Sequence, residues 1–193
     1  MKLIIASNNK HKVYEIKQIL AGKFDEILSL SEAGVNHETL EDGKTFIENA
    51  LKKAREISEI TGQAALADDS GLCVDALGGA PGIYSARFAG EDSAELRDSA
   101  NNALLLNRLS GVTDRSAHFT CAVALVYPNG REVTAEGFMR GSIIESQRGS
   151  AGFGYDPLFL PTGESRTVAE MSDAEKNLIS HRGDALRNLL SKI

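Results

Sequence analysis

The chain has 193 residues, a formal net charge of −6 at pH 7 and a hydrophobic fraction of 42%. This length suits one domain that buries its own core. The negative charge argues against nonspecific coating of nucleic acid, which depends on many lysines and arginines, although a pocket for one nucleotide needs only a few local cations. The apolar runs are too short to cross a membrane.

The two cysteines, Cys73 and Cys121, are far apart and lack the spacing of metal ligands. We therefore expect no disulfide framework and no structural zinc site, and we expect both side chains to be small buried hydrophobic groups. The apolar stretch at residues 3–6 is shorter than the core of a signal peptide. Together these features favour a reducing, cytoplasmic location.

The first predicted elements are a strand at residues 3–6, a polar turn at residues 7–9 and a helix. Free backbone N–H groups at the start of such a helix can bind an anion, and Lys10 and Lys12 add positive charge. An N-capped helix with two solvated lysines would explain the same pattern.

The clearest helix is predicted over residues 45–60, with Gly62 ending it. A short strand at residues 64–67 should follow and deliver Asp68 and Asp69 at its end. Adjacent residues of a strand face opposite sides, so only one of the two aspartates is expected to point into a site.

Further carboxylates stand near the start of this helix, at Glu41, Asp42 and Glu48. Mg²⁺ takes oxygen ligands and shares substrate phosphates, so one or two carboxylates are enough to hold it. The same residues could instead stabilise the helix N-terminus electrostatically. Which of the three would be a metal ligand stays open at this stage.

The segment ADDSGLCVDALGGAPG, residues 67–82, combines these aspartates with several glycines. Residues 78–82 could form a turn whose backbone dihedral angles are set by Gly and Pro, or could pack closely around a bound group. Arg87 follows and could contact phosphate or form a structural ion pair.

The rest of the chain alternates helices and strands. A helix is predicted at residues 94–109, a hairpin at 118–127 and 131–136 around Pro-Asn-Gly, a strand at 158–160, and helices at 173–179 and 184–193. This order predicts an α/β domain with a mixed sheet.

Two late segments could recognise a base. Residues 152–157 place Phe153 and Tyr155 in a glycine-rich turn, where a ring can stack on a base, although aromatic side chains also commonly close a core beneath a loop. Residues 180–183, Ser-His-Arg-Gly, lie between two predicted helices and offer hydrogen-bond donors. A helix cap with an exposed Arg would explain the same residues.

Five segments in this order resemble the inosine triphosphate pyrophosphatase family: SNNKHK, FIENALKKAR, LADDSGLCVDALGGAPGIYSARFAG, GFGYDPLF and EKNLISHRG. The resemblance covers essentially the whole chain. It implies one α/β domain over residues 1–193, with an elongated mixed sheet flanked by helices and two lobes around a central cleft. It also implies a homodimer without a nucleic-acid or membrane partner.

The activity implied by the resemblance is Mg²⁺-dependent hydrolysis of deaminated purine nucleoside triphosphates, such as ITP, dITP and XTP, to the monophosphate and pyrophosphate. Asp69 is then the general base and a metal ligand, Glu41 the second metal ligand and Lys53 a catalytic residue near the phosphates. The implied substrate contacts are Ser7, Asn8, Asn9, Lys10, His11, Lys12, Ser70, Phe153, Gly154, Tyr155, Asp156, Lys176, His181 and Arg182.

The resemblance also suggests how the base is chosen. Donors from His181 and Arg182 would satisfy a 6-keto oxygen, whereas a 6-amino group would face them with another donor. Rival hypotheses are a pyrophosphatase for other nucleotides, such as modified pyrimidines, a nucleotide sensor without turnover, and an RNA-binding protein that stacks bases on the aromatic turn.

Overall fold

The computed structural model describes residues 1–91 and 93–193, apart from the side chains of residues 94 and 95. Its strands are β1 Lys2–Ile5, β2 Glu26–Ser29, β3 Ala64–Val74, β4 Ser116–Val126, β5 Glu132–Ile143 and β6 Phe159–Pro161. Its helices are α1 Lys10–Ile19, α2 Phe46–Thr61, α3 Ala94–Arg108, α4 Asp173–Ile179 and α5 His181–Leu190. No helix in the described part of the chain is long and apolar enough to span a membrane.

The six strands form one sheet in the order β2-β1-β3-β4-β5-β6. Strand β1 runs parallel to both β2 and β3, whereas β5 and β6 are antiparallel. At the β4–β5 turn, the Tyr127 N–H donates to the Arg131 carbonyl, and the Gly130 N–H donates to the Tyr127 carbonyl. The mixed sheet, the α/β class and the hairpin at this turn are therefore confirmed.

The chain divides into two compact units. Unit 1 contains Met1–Asp69, Cys121–Gly137 and His181–Ile193, and unit 2 contains Ser70–Thr120 and Phe138–Ser180. In unit 1, Leu3 and Ile5 belong to a cluster with apolar residues of α1 and α5, whereas Ile4 belongs to a second cluster with residues of α2. This alternation follows the period of two in a strand, so the unit 1 sheet is covered on both faces.

Unit 2 has its own core, to which α3, β5 and β6 contribute Leu105, Ile143 and Phe159. Cys121 is fully buried, as expected, and burial raises the pKa of its thiol to about 12. Cys73 is only half-buried, so the expectation of full burial was wrong for that residue.

Helix α2 is well defined by its ends. The Thr45 hydroxyl accepts from the Glu48 N–H at 3.2 Å, and Gly62 adopts the left-handed conformation directly after the last turn. Its buried face includes Ala50, Ala54 and Ile57. This amphipathic pattern is why the sequence located α2 within a residue at each end.

Several elements differ from the sequence expectation; the second strand of the hairpin, for example, was expected at residues 131–136 but runs over Glu132–Ile143. Strand β3 extends to Val74, so Asp68 and Asp69 lie inside a strand of 11 residues and not at its end. Aspartate is disfavoured in strands, and only ion pairs with distant residues make these buried positions acceptable. Strand β2 was not predicted, because it has only four residues and shows no clear alternation of buried and exposed positions. Helix α5 begins at His181, before the expected residue 184.

We expect Gly137→Ala in β5 to destabilise the fold by about 1 to 3 kcal/mol, because the added methyl group would overpack a closed interior. A Cβ at this position would lie 2.8 Å from the Cα of Ala185 and closer still to the Ala185 nitrogen and the His181 carbonyl oxygen. Urea unfolding measures the loss. The neighbouring exposed change Glu136→Ala is the control and should stay within about 0.5 kcal/mol of the wild type.

Candidate active site

The turn before α1 is held by its own polar side chains. Asn9 is the N-cap, and its Oδ1 accepts from the N–H groups of His11 and Lys12 at 3.0 and 3.2 Å. The Ser7 hydroxyl accepts from the Asn9 N–H at 3.2 Å, and the Asn8 amide donates to the His37 carbonyl at 3.1 Å. The N–H groups of His11 and Lys12 are therefore engaged in the N-cap, as the alternative of an N-capped helix requires.

Lys10 and Lys12 differ in their surroundings. Lys10 is exposed, whereas Lys12 is partly buried and its Nζ lies 3.1 Å from the Asp68 Oδ2. The interpretation of two solvated lysines therefore fails for Lys12. Its ammonium is the positive charge that α1 directs towards β3.

Asp68 is the centre of a buried network of charges. Its Oδ2 accepts from the Arg182 guanidinium, with the Nε at 3.3 Å and an Nη at 3.1 Å, and Arg182 also pairs with Glu15 of α1. All three side chains have less than a tenth of their surface exposed. Burial alone would raise the pKa of Asp68, but the charges of Lys12 and Arg182 hold it below its ordinary value.

Asp69 is the centre of a second, less enclosed cluster. Its Oδ1 accepts from the Lys53 ammonium at 3.2 Å, and its Oδ2 accepts from the Asn49 amide at 3.2 Å. The same Lys53 ammonium donates to Glu41 at 2.7 Å. Asp68 and Asp69 thus have different partners, as expected from their opposite orientations on β3.

The charges of this cluster shift its protonation equilibria. Burial raises the pKa of Asp69, and the ammonium groups of Lys53 and Lys12 offset this effect only in part. Burial disfavours the Lys53 ammonium, but Asp69, Asp68 and Glu41 together raise the pKa of Lys53 above its usual value. A carboxylate with a raised pKa is a better proton acceptor near neutral pH than an ordinary aspartate.

Glu41 and Asp69 are suited to share a cation, because one oxygen of each lies within hydrogen-bond distance of the same ammonium. In the described part of the chain, no three His, Cys, Asp or Glu side chains gather as a metal cage. Two carboxylates fit Mg²⁺, which usually completes its ligand shell with waters and substrate phosphates.

The other two acidic candidates have different partners. Asp42 is exposed and pairs with Lys52 at 2.6 Å, and Glu48 accepts from the Lys44 N–H at 2.6 Å beside the start of α2. Glu48 lies in the first turn of α2 and matches the alternative of helix-end stabilisation, whereas Asp42 forms an ion pair on the surface. The structure therefore favours Glu41 as the carboxylate that accompanies Asp69.

In unit 2, the turn at Phe153 is built around a buried ion pair. Lys176 of α4 donates to the Asp156 Oδ2 at 2.7 Å, and both side chains are about 5% exposed. The same oxygen accepts from the Phe153 N–H at 3.0 Å, and the Lys176 ammonium lies 4.8 Å from the centre of the Phe153 ring. Phe153 keeps partial exposure, so its ring is accessible to a ligand.

Tyr155 has a different environment from Phe153. It is 4% exposed, belongs to the unit 2 core and donates its hydroxyl to the Ser85 carbonyl at 2.9 Å. The expectation of two aromatic faces is thus wrong for Tyr155, which closes the core. The Gly154 peptide is bonded to α3 on both sides, since its N–H donates to Asp98 at 2.6 Å and its carbonyl accepts from Asn102 at 3.0 Å.

The remaining sequence candidates occupy varied positions. Ser70 follows Asp69 on β3 and is partly exposed. His181 and Arg182 lie in the first turn of α5 and are buried, so the alternative of a helix cap with an exposed Arg was wrong. Arg87 stacks on Tyr84 at 5.1 Å. Gly78 and Gly79 have positive φ values of 63° and 88°, which the turn interpretation requires.

Sequence inspection missed Glu15, Asn49, Asp98 and Asn102. Asn49 had one available signal, since it lies four residues before Lys53 on the same helix. The others are partners only through tertiary contacts, which local patterns do not reveal.

Comparison with known proteins gives matches over nearly the full chain. The model of the Ham1 family matches residues 3–192. A protein from Desulforamulus reducens named dITP/XTP pyrophosphatase is 50% identical over 192 residues, covering 98% of this chain and 94% of that protein. A protein of the same name from Clostridium perfringens is 52% identical over 196 residues, covering 97% of this chain and 95% of that protein.

The fold agrees with these matches. The solved structure of the Staphylococcus aureus Ham1 protein is similar to this chain with a TM-score of 0.87 and 38% identity, covering 100% of this chain and 97% of that one. Sequence and structure thus agree over the same span, and the resemblance seen in the five motifs is confirmed. The chain belongs to the Ham1 family.

Proposed function

We propose that this protein hydrolyses deaminated purine nucleoside triphosphates, such as ITP, dITP and XTP, to the monophosphate and pyrophosphate, with Mg²⁺ as cofactor. The observation that carries the proposal is the Asp69 carboxylate, held between Asn49 and Lys53 beside Glu41. Relatives about 50% identical over nearly the whole chain are named dITP/XTP pyrophosphatases, which supports the substrate class.

Asp69 is the proposed general base. It accepts the proton of a water molecule whose oxygen forms a bond to the α-phosphorus, while the bond from that phosphorus to the bridging oxygen breaks and pyrophosphate leaves. Because the carboxylate is fixed by Asn49 and Lys53, little rearrangement is needed to aim it.

The cations of unit 1 stabilise the phosphate charge. Lys53 and Lys12 are held by Asp69 and Asp68, and their ammonium groups attract phosphate oxygens, with Ser7 to His11 lining the start of α1. Glu41 and Asp69 would hold Mg²⁺, which neutralises charge on the phosphates. The exposed position of Lys10 leaves its charge available for the distal phosphates.

Base recognition is assigned to the residues named by the family resemblance. In unit 2, Phe153 offers its ring, and Gly154, Asp156 and Lys176 hold the turn that presents it. Ser70 is proposed to contact the substrate. In unit 1, donors of His181 and Arg182 are proposed to satisfy the 6-keto oxygen that hypoxanthine and xanthine carry and adenine lacks.

The function is tested by phosphate release from ITP, XTP, GTP, ATP and a modified pyrimidine triphosphate with Mg²⁺, with and without added inorganic pyrophosphatase. We expect a signal only with the added enzyme, and chiefly for ITP and XTP. Direct phosphate release would mean cleavage at the γ-phosphorus and would contradict the mechanism. Preference for a modified pyrimidine triphosphate would contradict the substrate class, and no release from any nucleotide would favour a sensor.

We expect Phe153→Ala to raise KM for ITP about tenfold, which is within the roughly 1 to 3 kcal/mol that stacking of a base on an aromatic ring contributes. The value of kcat should change less, because the ring is remote from the bonds that react. Steady-state kinetics measure both. Phe138→Ala removes another half-exposed ring of unit 2 and is the control; equal KM values for the two variants would argue against stacking on Phe153.

Two further expectations belong to the same proposal. A homodimer is tested by light scattering during size-exclusion chromatography. A cytoplasmic location is tested by fractionation of cells that express the protein. Neither property enters the chemical steps above.

A further inference from the structure

Asn49 is buried at the start of α2, with none of its surface exposed, yet its polar side chain faces two parts of the catalytic cluster. Its Nδ2 donates to the Asp69 Oδ2 at 3.2 Å, and its Oδ1 accepts from the Gly43 N–H at 2.8 Å. The side-chain amide thus connects the proposed general base to the segment that carries Glu41.

Lys53 makes a second connection between the same two parts. It lies one helical turn after Asn49 and joins the Asp69 Oδ1 to the Glu41 carboxylate. Each oxygen of Asp69 therefore has its own partner from α2. Phosphate can attract the charged Lys53 ammonium away, and a bound cation would compete with it for the Glu41 and Asp69 carboxylates, whereas the neutral Asn49 bridge carries no charge that either would displace.

Gly43 fits closely against this bridge. A Cβ at position 43 would lie 2.5 Å from the Asn49 Oδ1 and 3.1 Å from its Cγ. Even an alanine would therefore push the amide away from its present place. The close approach of the backbone at residue 43 and the Asn49 side chain form one structural unit.

Helix stability alone does not account for the Asn49 side chain. The backbone N–H of Asn49 donates to the Thr45 carbonyl, and the N-cap of α2 is the Thr45 hydroxyl, which accepts from Glu48. Neither contact uses the Asn49 amide. A buried amide is retained only where its hydrogen bonds are satisfied, and here both partners belong to the site.

We propose that Asn49 is a positioning residue, which fixes the orientation of the Asp69 carboxylate and its spacing from the segment that bears Glu41. The inference rests on the proposed function of Asp69 and Glu41. Partners that orient a metal-binding or catalytic carboxylate from behind affect chemistry without touching the substrate. Loss of Asn49 should therefore act on kcat and on metal affinity and leave substrate affinity nearly intact.

The test compares Asn49→Ala with Ser58→Ala in steady-state ITP hydrolysis at saturating Mg²⁺. Ser58 is a buried polar residue of the same helix, whose hydroxyl donates to the Gln63 carbonyl at 2.9 Å away from the site. We expect Asn49→Ala to lower kcat at least about tenfold with KM within about threefold, and Ser58→Ala to leave kcat near the wild-type value. Melting temperatures of both variants show whether they are folded.

Two further variants separate the two hydrogen bonds. Asn49→Asp keeps an acceptor for the Gly43 N–H but replaces the donor to Asp69 by a second carboxylate oxygen that repels it, so it should lower kcat at least as much as Asn49→Ala. Gly43→Ala displaces the amide, so its effect on kcat should be large in the wild-type background and small in the Asn49→Ala background. Such non-additivity is expected of residues that act through one contact.

Metal binding gives a readout that does not depend on turnover. Electron paramagnetic resonance of Mn²⁺, used as a probe for Mg²⁺, should show at least about threefold weaker binding to Asn49→Ala than to Ser58→Ala. A kcat of Asn49→Ala or Asn49→Asp within threefold of the wild type, or Mn²⁺ affinity equal to that of Ser58→Ala, would overturn the inference. A wild-type protein inactive on every nucleotide would refute the proposed function instead, while the Mn²⁺ comparison would still decide the role of Asn49.

Discussion

Asp69→Asn is expected to lower kcat for ITP by at least about 100-fold, because a positioned general base contributes on the order of 10²- to 10⁴-fold. The substitution keeps the shape of the side chain but removes its capacity to accept a proton. It also places an amide against Lys53, where a carboxylate oxygen now accepts at 3.2 Å. Pyrophosphate release, measured with excess Mg²⁺, gives the rate, and circular dichroism verifies the fold.

The matched control is Asp42→Asn, which removes an exposed carboxylate from the segment that carries Glu41. Asp42 pairs with Lys52 and not with the Asp69 cluster, so its loss should leave kcat within about twofold, as is usual for surface sites. Glu41→Gln should lower activity and raise the Mg²⁺ concentration required. If Asp42→Asn were the more damaging change, the ligand assignment would move from Glu41 to Asp42.

Local patterns in the sequence were sufficient where an element carries its own signal. Helix α2 has an N-cap, an amphipathic face and a terminal glycine, and the β4–β5 hairpin has an Asn-Gly turn. The Asn9 cap before α1 was likewise visible as a polar turn. These features are determined within a few residues, so they need no knowledge of the rest of the fold.

Asp68 shows what local patterns cannot determine. The sequence pattern placed Asp68 at the end of a short strand. Its partner Arg182, however, lies 114 positions away along the chain, and Glu15, the other partner of Arg182, lies 167 positions from Arg182. A strand with two adjacent aspartates is unfavourable until those distant charges are in place. The extension of β3 past Asp69 therefore depends on tertiary contacts, which the spacing of residues along the sequence does not reveal.

The candidate site likewise contains some residues that motifs identified and others that only the structure revealed. Motifs identified Asp69, Lys53 and Glu41, and the structure brings these three together. The role of Tyr155 in the core and the amide bridge of Asn49 were not predictable, because both depend on which buried groups need a hydrogen-bond partner. The candidate site residues were thus named by motifs and by the family resemblance, whereas their buried hydrogen-bond partners required the geometry of the fold.

Arg182→Met is expected to lower the free energy of unfolding by about 3 to 5 kcal/mol, because removing one partner leaves a buried charge uncompensated. Methionine keeps much of the apolar stem, so lost packing is a smaller contribution. The guanidinium is 1% exposed and lies between Asp68 and Glu15, of which Asp68 also pairs with Lys12. Urea unfolding followed by circular dichroism measures the change.

The control is an exposed arginine–carboxylate pair. Arg55 donates to Glu132 through two nitrogens at 2.6 and 2.8 Å, but its side chain is 55% exposed, so Arg55→Met should cost at most about 1 kcal/mol. If the larger cost of Arg182→Met comes from uncompensated carboxylates, adding Glu15→Gln should recover part of it, and the two changes should be non-additive. Equal losses for the two arginines, or strict additivity with Glu15→Gln, would mean that the buried charges do not determine the stability of unit 1.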